Sequence, residues 1–180
     1  MNEQDPLIAA AGASGAGFRK LRDLSDPMVL EILNYWYRKR ADRLMPCPQD
    51  MDPVDFARHM PNLMMIQVDH DPFKLTYRLI GEEVAASHGA NYRGRSVLDV
   101  DKERPNLGSV LQEVYKIVAL RRRPIGAGGN MEFLGRGHLA FEAAYMPLSF
   151  TGERTDRIFT VTAYREISAS ERLATEIAAI

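Results

Sequence analysis

The chain has 180 residues, with 23 basic and 24 acidic side chains that leave a formal net charge of −1. This length predicts a single domain whose core is large enough to fold without disulfides or a structural metal. Balanced charge gives no overall positive field, so we expect no binding to nucleic acid and none to a membrane.

The N-terminus and the cysteine content indicate a cytoplasmic protein. The first residues are acidic where a secretory signal is basic, and no apolar run approaches the ~20 residues of a membrane span. The single cysteine, Cys47, lies between two prolines and has no disulfide partner within the chain. Residues 1–24, which include a Gly- and Ala-rich stretch, are predicted to form a flexible tail.

The first predicted helix begins at Asp26-Pro27, because Asp caps helix N-termini and Pro is favoured at the first helical position. It is expected to run to about Ala41. Its apolar residues recur at helical spacing and form one stripe: Val29, Ile32, Leu33 and Trp36. Either one face of a sheet or the equivalent helix of a second subunit is expected to cover this stripe.

Residues 43–61 are rich in proline and acidic side chains, which predicts extended backbone and a short capped turn. Asp50, Asp52 and Asp55 alternate as oxygen ligands of calcium do, but Pro53 interrupts the loop and no glutamate closes it. No Cys/His spacing fits zinc. We therefore predict no metal site.

Two apolar strands, 63–69 and 73–80, are predicted to form an antiparallel hairpin around the turn His70-Asp71-Pro72. A short helix ending at Gly89, a helical piece at 96–100 and a longer helix from Asn106 are expected next.

The remainder is strand-like, with predicted strands at 126–134, 138–150 and 157–164. Two strands, a helical crossing and three further strands predict an α+β fold with its helices on one side of an antiparallel sheet.

The order of these elements resembles that of a PAS domain, and several residue groups resemble the proteobacterial stand-alone subfamily PAS_5. The resemblance covers residues 30–165 and rests on Tyr35-Trp36, Pro46, Asp50-x-Asp52-Pro53, Met60-Pro61-Asn62-Leu63, Tyr77-Arg78-Leu79-Ile80-Gly81, Gly89, Gly94-Arg95, Tyr115, Pro124 and Pro147-Leu148.

The resemblance implies a five-stranded antiparallel sheet with helices on one face and an extra N-terminal helix. It places the PAS-like domain at 25–165 and leaves 166–180 as a C-terminal helical extension. It also implies a bacterial sensory or regulatory module that forms a homodimer and binds a small molecule or a signalling partner. The family supplies no catalytic residues, so we expect a non-enzyme.

The cofactors that PAS domains use can be tested by the residues they require. A photoreactive flavin needs a cysteine on the helical side of the core, whereas Cys47 precedes the sheet. Haem needs an axial histidine, and only His88 is plausibly placed; we interpret it instead as a solvent-facing or capping residue. The sequence therefore leaves the cofactor unknown.

Two alternatives remain open at this point. Arg121-Arg122-Arg123 are the residues expected to bind the phosphates of a cyclic dinucleotide, if they are more than a solvated helix end. Glu142 with Tyr145 or Tyr77 would carry out proton transfer in a small cone-shaped isomerase, if the side chains converge in one cavity.

The favoured interpretation is a sensor in which ligand or partner binding shifts the packing of the sheet against the N-terminal helix. Trp36 and its stripe are the candidates for signal transmission or dimerisation. The residues predicted to line a ligand pocket are Leu75, Tyr77, Tyr92, Arg95, Tyr115, Met131 and Tyr145.

Overall fold

The computed structural model describes residues 17–131 and 135–168. Over these residues it contains six strands and three α-helices. The strands are β1 (Gly17–Arg19), β2 (Leu63–His70), β3 (Phe73–Ile80), β4 (Ile125–Met131), β5 (Arg136–Leu148) and β6 (Arg157–Glu166), and the helices are α1 (Pro27–Arg40), α2 (Glu82–His88) and α3 (Leu107–Arg121).

Short 3₁₀ helices fill the connections. Pro53–Asn62 leads into β2, and Val97–Lys102 lies between α2 and α3. The predicted α1, the β2–β3 hairpin, α2, α3 and the three late strands are all confirmed, with boundaries that differ by a few residues. The α+β fold is therefore as predicted.

All neighbouring strands pair antiparallel, in the order β1-β4-β5-β6-β2-β3. The sheet has one strand more than predicted, because β1 forms within the segment expected to be a tail. Gly17 pairs with Gly128, and Phe18 pairs with Ala127. Three residues in a Gly-rich segment carry no strand pattern, and only the open edge of β4 gives them a partner.

The sheet is covered on both faces, which follows from the alternation of side chains along each strand. On β5, Ala143 and Tyr145 face the core shared with α2 and α3, while Ala144 and Met146 face the core shared with α1. The two cores are thus separated by a single backbone layer. The predicted helical layer lies on one face, and the extra N-terminal helix lies on the other.

Helix α1 packs against the sheet of its own chain. The Asp26 side chain accepts hydrogen bonds from the backbone N–H groups of Met28 and Val29, which caps the helix. Trp36 is 1 % exposed, and its indole Nε1–H donates to the carbonyl oxygen of Pro147 on β5 at 2.9 Å. The apolar stripe is therefore buried within one chain and is not available to a second subunit.

The start of α1 is fixed to the same strand by Glu142. Its carboxylate accepts hydrogen bonds from the backbone N–H groups of Ser25 at 2.8 Å and of Asp26 at 2.7 Å, and from the Ser25 hydroxyl at 3.2 Å. Charge-assisted hydrogen bonds of this kind are stronger than neutral ones. Strand β5 therefore holds α1 at its N-terminus and again near its C-terminus.

None of the helices in the described part of the chain is long and apolar enough to cross a membrane. The predicted tail lies outside the described residues up to residue 16, and so does the predicted C-terminal extension from residue 169 onward. Within that extension, Glu166 still belongs to β6.

Replacement of Trp36 tests how strongly α1 depends on β5. Trp36→Phe leaves the Pro147 carbonyl without its donor, and we expect a loss of about 1–3 kcal/mol in the free energy of unfolding. Trp36→Ala also opens a cavity, and we expect a loss of about 3–5 kcal/mol. Equilibrium urea unfolding measures both losses. The control is Tyr37→Ala, at the exposed neighbouring aromatic residue, which should change stability much less. Equal losses of unfolding free energy in Trp36→Ala and Tyr37→Ala would show that Trp36 does not hold α1 to β5.

Candidate functional site

A small cavity lies between the sheet and helices α2 and α3, on the face opposite α1. Its volume is about 40 Å³, and side chains from α3, β4, β5 and β6 form most of its wall. Its apolar lining includes Leu107, Val110, Leu111, Val114, Met131 and Phe141. A water molecule needs about 10–15 Å³ measured in this way, so the cavity has room for only a few water-sized groups.

The polar lining of the cavity consists of uncharged side chains: His88, Tyr115, Tyr145, Thr162 and Tyr164. The rings of Tyr115 and Tyr145 meet edge to face, with centroids 5.8 Å apart. Burial raises the pKa of Tyr115 and Tyr145 above their usual value of 10.0, and that of Tyr164 to about 12. All three phenols are therefore neutral at physiological pH.

His88 is the most unusual member of the site. It is only 8 % exposed, and its Nδ1 atom is buried without a hydrogen-bond partner among the described residues. Burial, with smaller contributions from the positive charges of Arg104 and Arg136, lowers the pKa of His88 from 6.5 to about 4. The imidazole is thus neutral near pH 7, and the interpretation as a solvent-facing histidine was wrong.

The end of α2 explains why His88 points inward. Val84 lies one helical turn before His88, on the same face, and is fully buried. Gly89 then ends the helix with a φ of 83°, which favours glycine, and the guanidinium of Arg104 occupies the space that a Cβ atom would take. The Val84–His88 spacing was the sequence signal that could have predicted a buried histidine.

Tyr77 and Tyr115 add two more buried hydroxyl groups to this core. The two hydroxyls lie near each other and influence each other's pKa, but among the described residues neither makes a hydrogen bond of good geometry. Burial is the largest influence on the pKa of Tyr77, which it raises well above 10.0. Buried polar groups are normally paired, so several unpaired ones in one core need an explanation. A polar group inside the cavity would supply the missing partner for those that face it.

The cavity is lined by three of the seven residues predicted for the pocket, Tyr115, Met131 and Tyr145. Leu75 and Tyr77 are fully buried in the same core but do not line the cavity. Tyr92 is also buried, with its ring centroid 6.2 Å from that of Tyr77.

Arg95 lies further out. Its Nη1 atom donates to Glu103 at 2.6 Å, and its guanidinium lies over the Tyr92 ring. Three of the seven predicted residues thus line the cavity, and the other four do not.

Sequence reasoning missed several lining residues. Phe18 belongs to the unforeseen strand β1, and only the pairing of β1 with β4 brings it to the cavity. Thr162 and Tyr164 alternate on the inner face of β6, a period that the sequence does show. Val110 and Val114 lie in the helix that was predicted from Asn106 onward, but they were not predicted as cavity residues.

The family comparison agrees with this architecture. The family model PAS_5, described as a PAS domain, matches residues 24–163. The chain belongs to the PAS_5 family of PAS domains. No curated protein and no solved structure gives a significant match. Membership supports a sensory or regulatory role in general terms, and it confirms the resemblance drawn from the sequence.

The geometry of this PAS domain does not assemble the isomerase-like pair. Glu142 and Tyr145 are three residues apart on one strand, so their side chains point to opposite faces of the sheet. Glu142 is occupied by the start of α1, whereas Tyr145 and Tyr77 lie in the other core. Proton transfer between these residues through one cavity is excluded by their positions.

The arginine triplet also lies away from the cavity. Arg121 ends α3, while Arg122 and Arg123 are exposed, and none of the three lines the cavity beside His88. Arg122 donates to the carbonyl oxygen of Glu153 at 3.0 Å. The cyclic-dinucleotide hypothesis therefore gains no support from a binding pocket.

PAS cofactors can be tested against the same geometry. Haem and flavin need ligand pockets of the usual size, about 300–1,000 Å³, and the 40 Å³ cavity does not fit either group. Cys47 does not line this cavity, and its thiol instead donates to the Gln49 side chain in the segment before β2. Within the described residues, no three His, Cys, Asp or Glu side chains form a potential metal site.

The buried, neutral His88 predicts a specific pH dependence of stability. Its folded pKa of about 4 lies below its usual value of 6.5, so the unfolded chain binds the proton more tightly. The contribution of the neutral His88 to the free energy of unfolding is fully present above pH 6.5, and it is lost as the pH falls toward 4. Between pH 7 and pH 5 we expect a loss of about 2 kcal/mol from this group.

Urea unfolding at both pH values, compared with His88→Leu, isolates the effect. The variant should lack this part of the pH dependence, while His70→Leu, at a histidine that contacts the Thr155 carbonyl instead, should retain it. An unchanged pH dependence in His88→Leu would show that the histidine does not titrate as a buried group.

Proposed function

We propose that this PAS domain is a non-catalytic sensory module that binds a small uncharged molecule in the cavity beside His88. The observation that carries the proposal is that two side chains lining the cavity have buried polar atoms without a hydrogen bond among the described residues. These atoms are His88 Nδ1 and the Tyr115 hydroxyl, which has the Tyr77 hydroxyl near it but makes no hydrogen bond of good geometry. A ligand with one hydroxyl or amide group would satisfy either atom, and binding would regain the free energy that an unpaired polar group costs.

The lining of the cavity favours one chemical class of ligand. It contains no carboxylate, lysine or arginine, and its histidine and phenols are neutral at pH 7. A charged ligand would have to lose its water shell without an opposite charge to compensate. We therefore expect a mainly apolar molecule with a single polar group.

The small volume means that such a ligand must displace side chains. Met131 and Leu111 line the cavity, and methionine adapts its shape readily because it has three flexible bonds. A ligand as large as a substituted phenol would move the side chains of Met131 and Leu111 and would pack against Tyr145, which also lines the cavity. Binding would in this way change the conformation of the core.

The position of β5 offers a path from the cavity to the outside of the domain. Tyr145 lines the cavity, and its neighbours Ala144 and Met146 pack beneath α1. The indole of Trp36 is bonded to the next residue along the strand, Pro147. A shift of β5 would therefore be transmitted to α1, and from there to a homodimer contact or to a signalling partner.

Probe binding tests the site directly. We expect 4-methylphenol to raise the melting temperature and to shift amide NMR signals around the cavity, toluene to bind more weakly because it lacks the hydroxyl, and 4-methylbenzoate not to bind. His88→Leu should reduce the preference for 4-methylphenol over toluene by about threefold to tenfold, which corresponds to one hydrogen bond.

A filled cavity is the matched control. Val114→Phe places a ring in the cavity wall and should abolish binding of both neutral probes, whereas Val54→Phe, the same change at a side chain that is 80 % exposed, should leave it intact. Binding to Val114→Phe with unchanged affinity, or no probe-dependent shift at the cavity residues of the wild type, would refute the site.

The single tryptophan reports on transmission across the sheet. Trp36 lies on the face opposite the cavity, so a change in its emission cannot come from direct contact with the probe. Excitation selective for tryptophan should show a shift when toluene or 4-methylphenol binds, and no shift in Val114→Phe. Binding detected by NMR without any change at Trp36 would refute the proposed path while leaving the site itself supported.

A further inference from the structure

One end of the molecule concentrates arginine side chains that are dispersed in the sequence. We call this the arginine-rich end and define it as residues 40–46, 119–123 and 149–157. It contains seven arginines, no lysine and three carboxylates, although the whole chain is nearly neutral. Tertiary structure has therefore produced a local positive surface that net charge does not reveal.

Hydrogen bonds between the three segments show that they form one continuous surface. The backbone N–H of Ser149 donates to the Pro46 carbonyl at 3.0 Å, and the Thr155 hydroxyl donates to the Ala119 carbonyl at 3.0 Å. Arg122 donates to the Glu153 carbonyl at 3.0 Å. The C-terminal end of α3 thus lies beside the β5–β6 loop, which in turn lies beside the segment after α1.

Large apolar side chains are exposed among these arginines. Leu120 is 61 % exposed, Phe150 is 48 % exposed and Leu44 is 38 % exposed. The guanidinium of Arg157 lies over the Phe150 ring at 5.5 Å. Leu44 and Leu120 each adjoin an arginine in the chain, Arg43 and Arg121. Exposed apolar side chains within a positively charged surface are typical of a binding surface rather than of a solvated helix end.

The charges on this surface are only partly balanced. Arg154 pairs with Asp156 at 3.5 Å, and Arg43 pairs with Asp50, which lies outside the three segments, at 2.6 Å. Arg122 and Arg123 are exposed at the end of α3, where their charges also meet the negative end of the helix dipole. Guanidinium groups bind phosphate oxygens through two parallel hydrogen bonds.

We propose that the arginine-rich end binds the surface of a membrane that contains anionic phospholipids. Arginines would contact the phosphate groups, while Leu120, Leu44 and Phe150 would insert among the upper parts of the acyl chains. Peripheral membrane binding depends on this combination of buried apolar area and attraction to anionic lipids.

A bilayer fits this surface better than the other anionic partners do. Nucleic acid offers phosphates, but it gives aliphatic side chains such as Leu44 and Leu120 no stacking partner. A peptide would bind in a groove, and no residue of the arginine-rich end lines the cavity described above. We expected no membrane partner because the net charge of the chain is close to zero. Net charge contains no information about where the arginines lie in the folded domain.

Vesicle sedimentation with the full chain tests the proposal at about 0.1 M salt, where surface charges are partly screened. We expect binding to vesicles of roughly three parts phosphatidylcholine to one part phosphatidylglycerol, and none to pure phosphatidylcholine. Arg122→Gln with Arg123→Gln should weaken binding by about tenfold or more, since each basic residue near the surface contributes strongly. Leu120→Ser should weaken it roughly threefold through lost apolar contact.

The control is a second double variant with the same loss of charge elsewhere, Lys74→Gln with Arg93→Gln, both at exposed positions outside this end. It should bind vesicles as the wild type does, and circular dichroism checks that all variants fold. No sedimentation with anionic vesicles, equal losses in the two double variants, or no effect of Leu120→Ser would each overturn the proposal. So would tighter binding to a 20-base-pair DNA duplex than to the anionic vesicles.

Discussion

The packing of this domain depends on one sheet whose central strands bury side chains on both faces. Along β5, Ala143 and Tyr145 belong to one core, while Ala144 and Met146 belong to the other. Because the strand period is two residues, neither core can shift along the strand without moving the other. Both cores therefore share one rigid element, and helix α1 is attached to that element by Glu142 near one end and by Pro147 near the other.

This shared strand links the two parts of the molecule that the proposed function uses, the cavity and helix α1. The cavity lies against Tyr145, and the indole of Trp36 is bonded to the backbone two residues further on. The cavity is small and its wall keeps buried polar atoms without partners, which lowers stability in the free state. A ligand that supplied the missing hydrogen bonds would stabilise the conformation it binds. Its binding would therefore shift the conformational equilibrium of the domain toward that conformation.

The two proposed activities use separate surfaces. The cavity is neutral and enclosed by the sheet, α2 and α3, whereas the arginine-rich end is exposed and carries most of its charge on loops and helix termini. Helix α1 connects them spatially, since it lies over β5 and ends at Arg40, where the arginine-rich end begins. Ligand-dependent movement of α1 would thus change the position of Arg40 and of the segment that follows it in the arginine-rich end.

The sequence by itself determined the three α-helices, the five strands β2 to β6 and the antiparallel α+β order. Apolar periods of 3.6 and 2 residues and the caps at Asp26 and Gly89 are local signals. It also showed that Trp36, Tyr115 and Tyr145 would be buried. Only the tertiary structure decided that α1 packs within its own chain, that β1 adds an edge strand, that His88 faces the cavity and that Glu142 and Tyr145 lie on opposite faces. These outcomes depend on which distant surfaces meet, and contacts between residues far apart in the chain leave no pattern in the sequence around either partner.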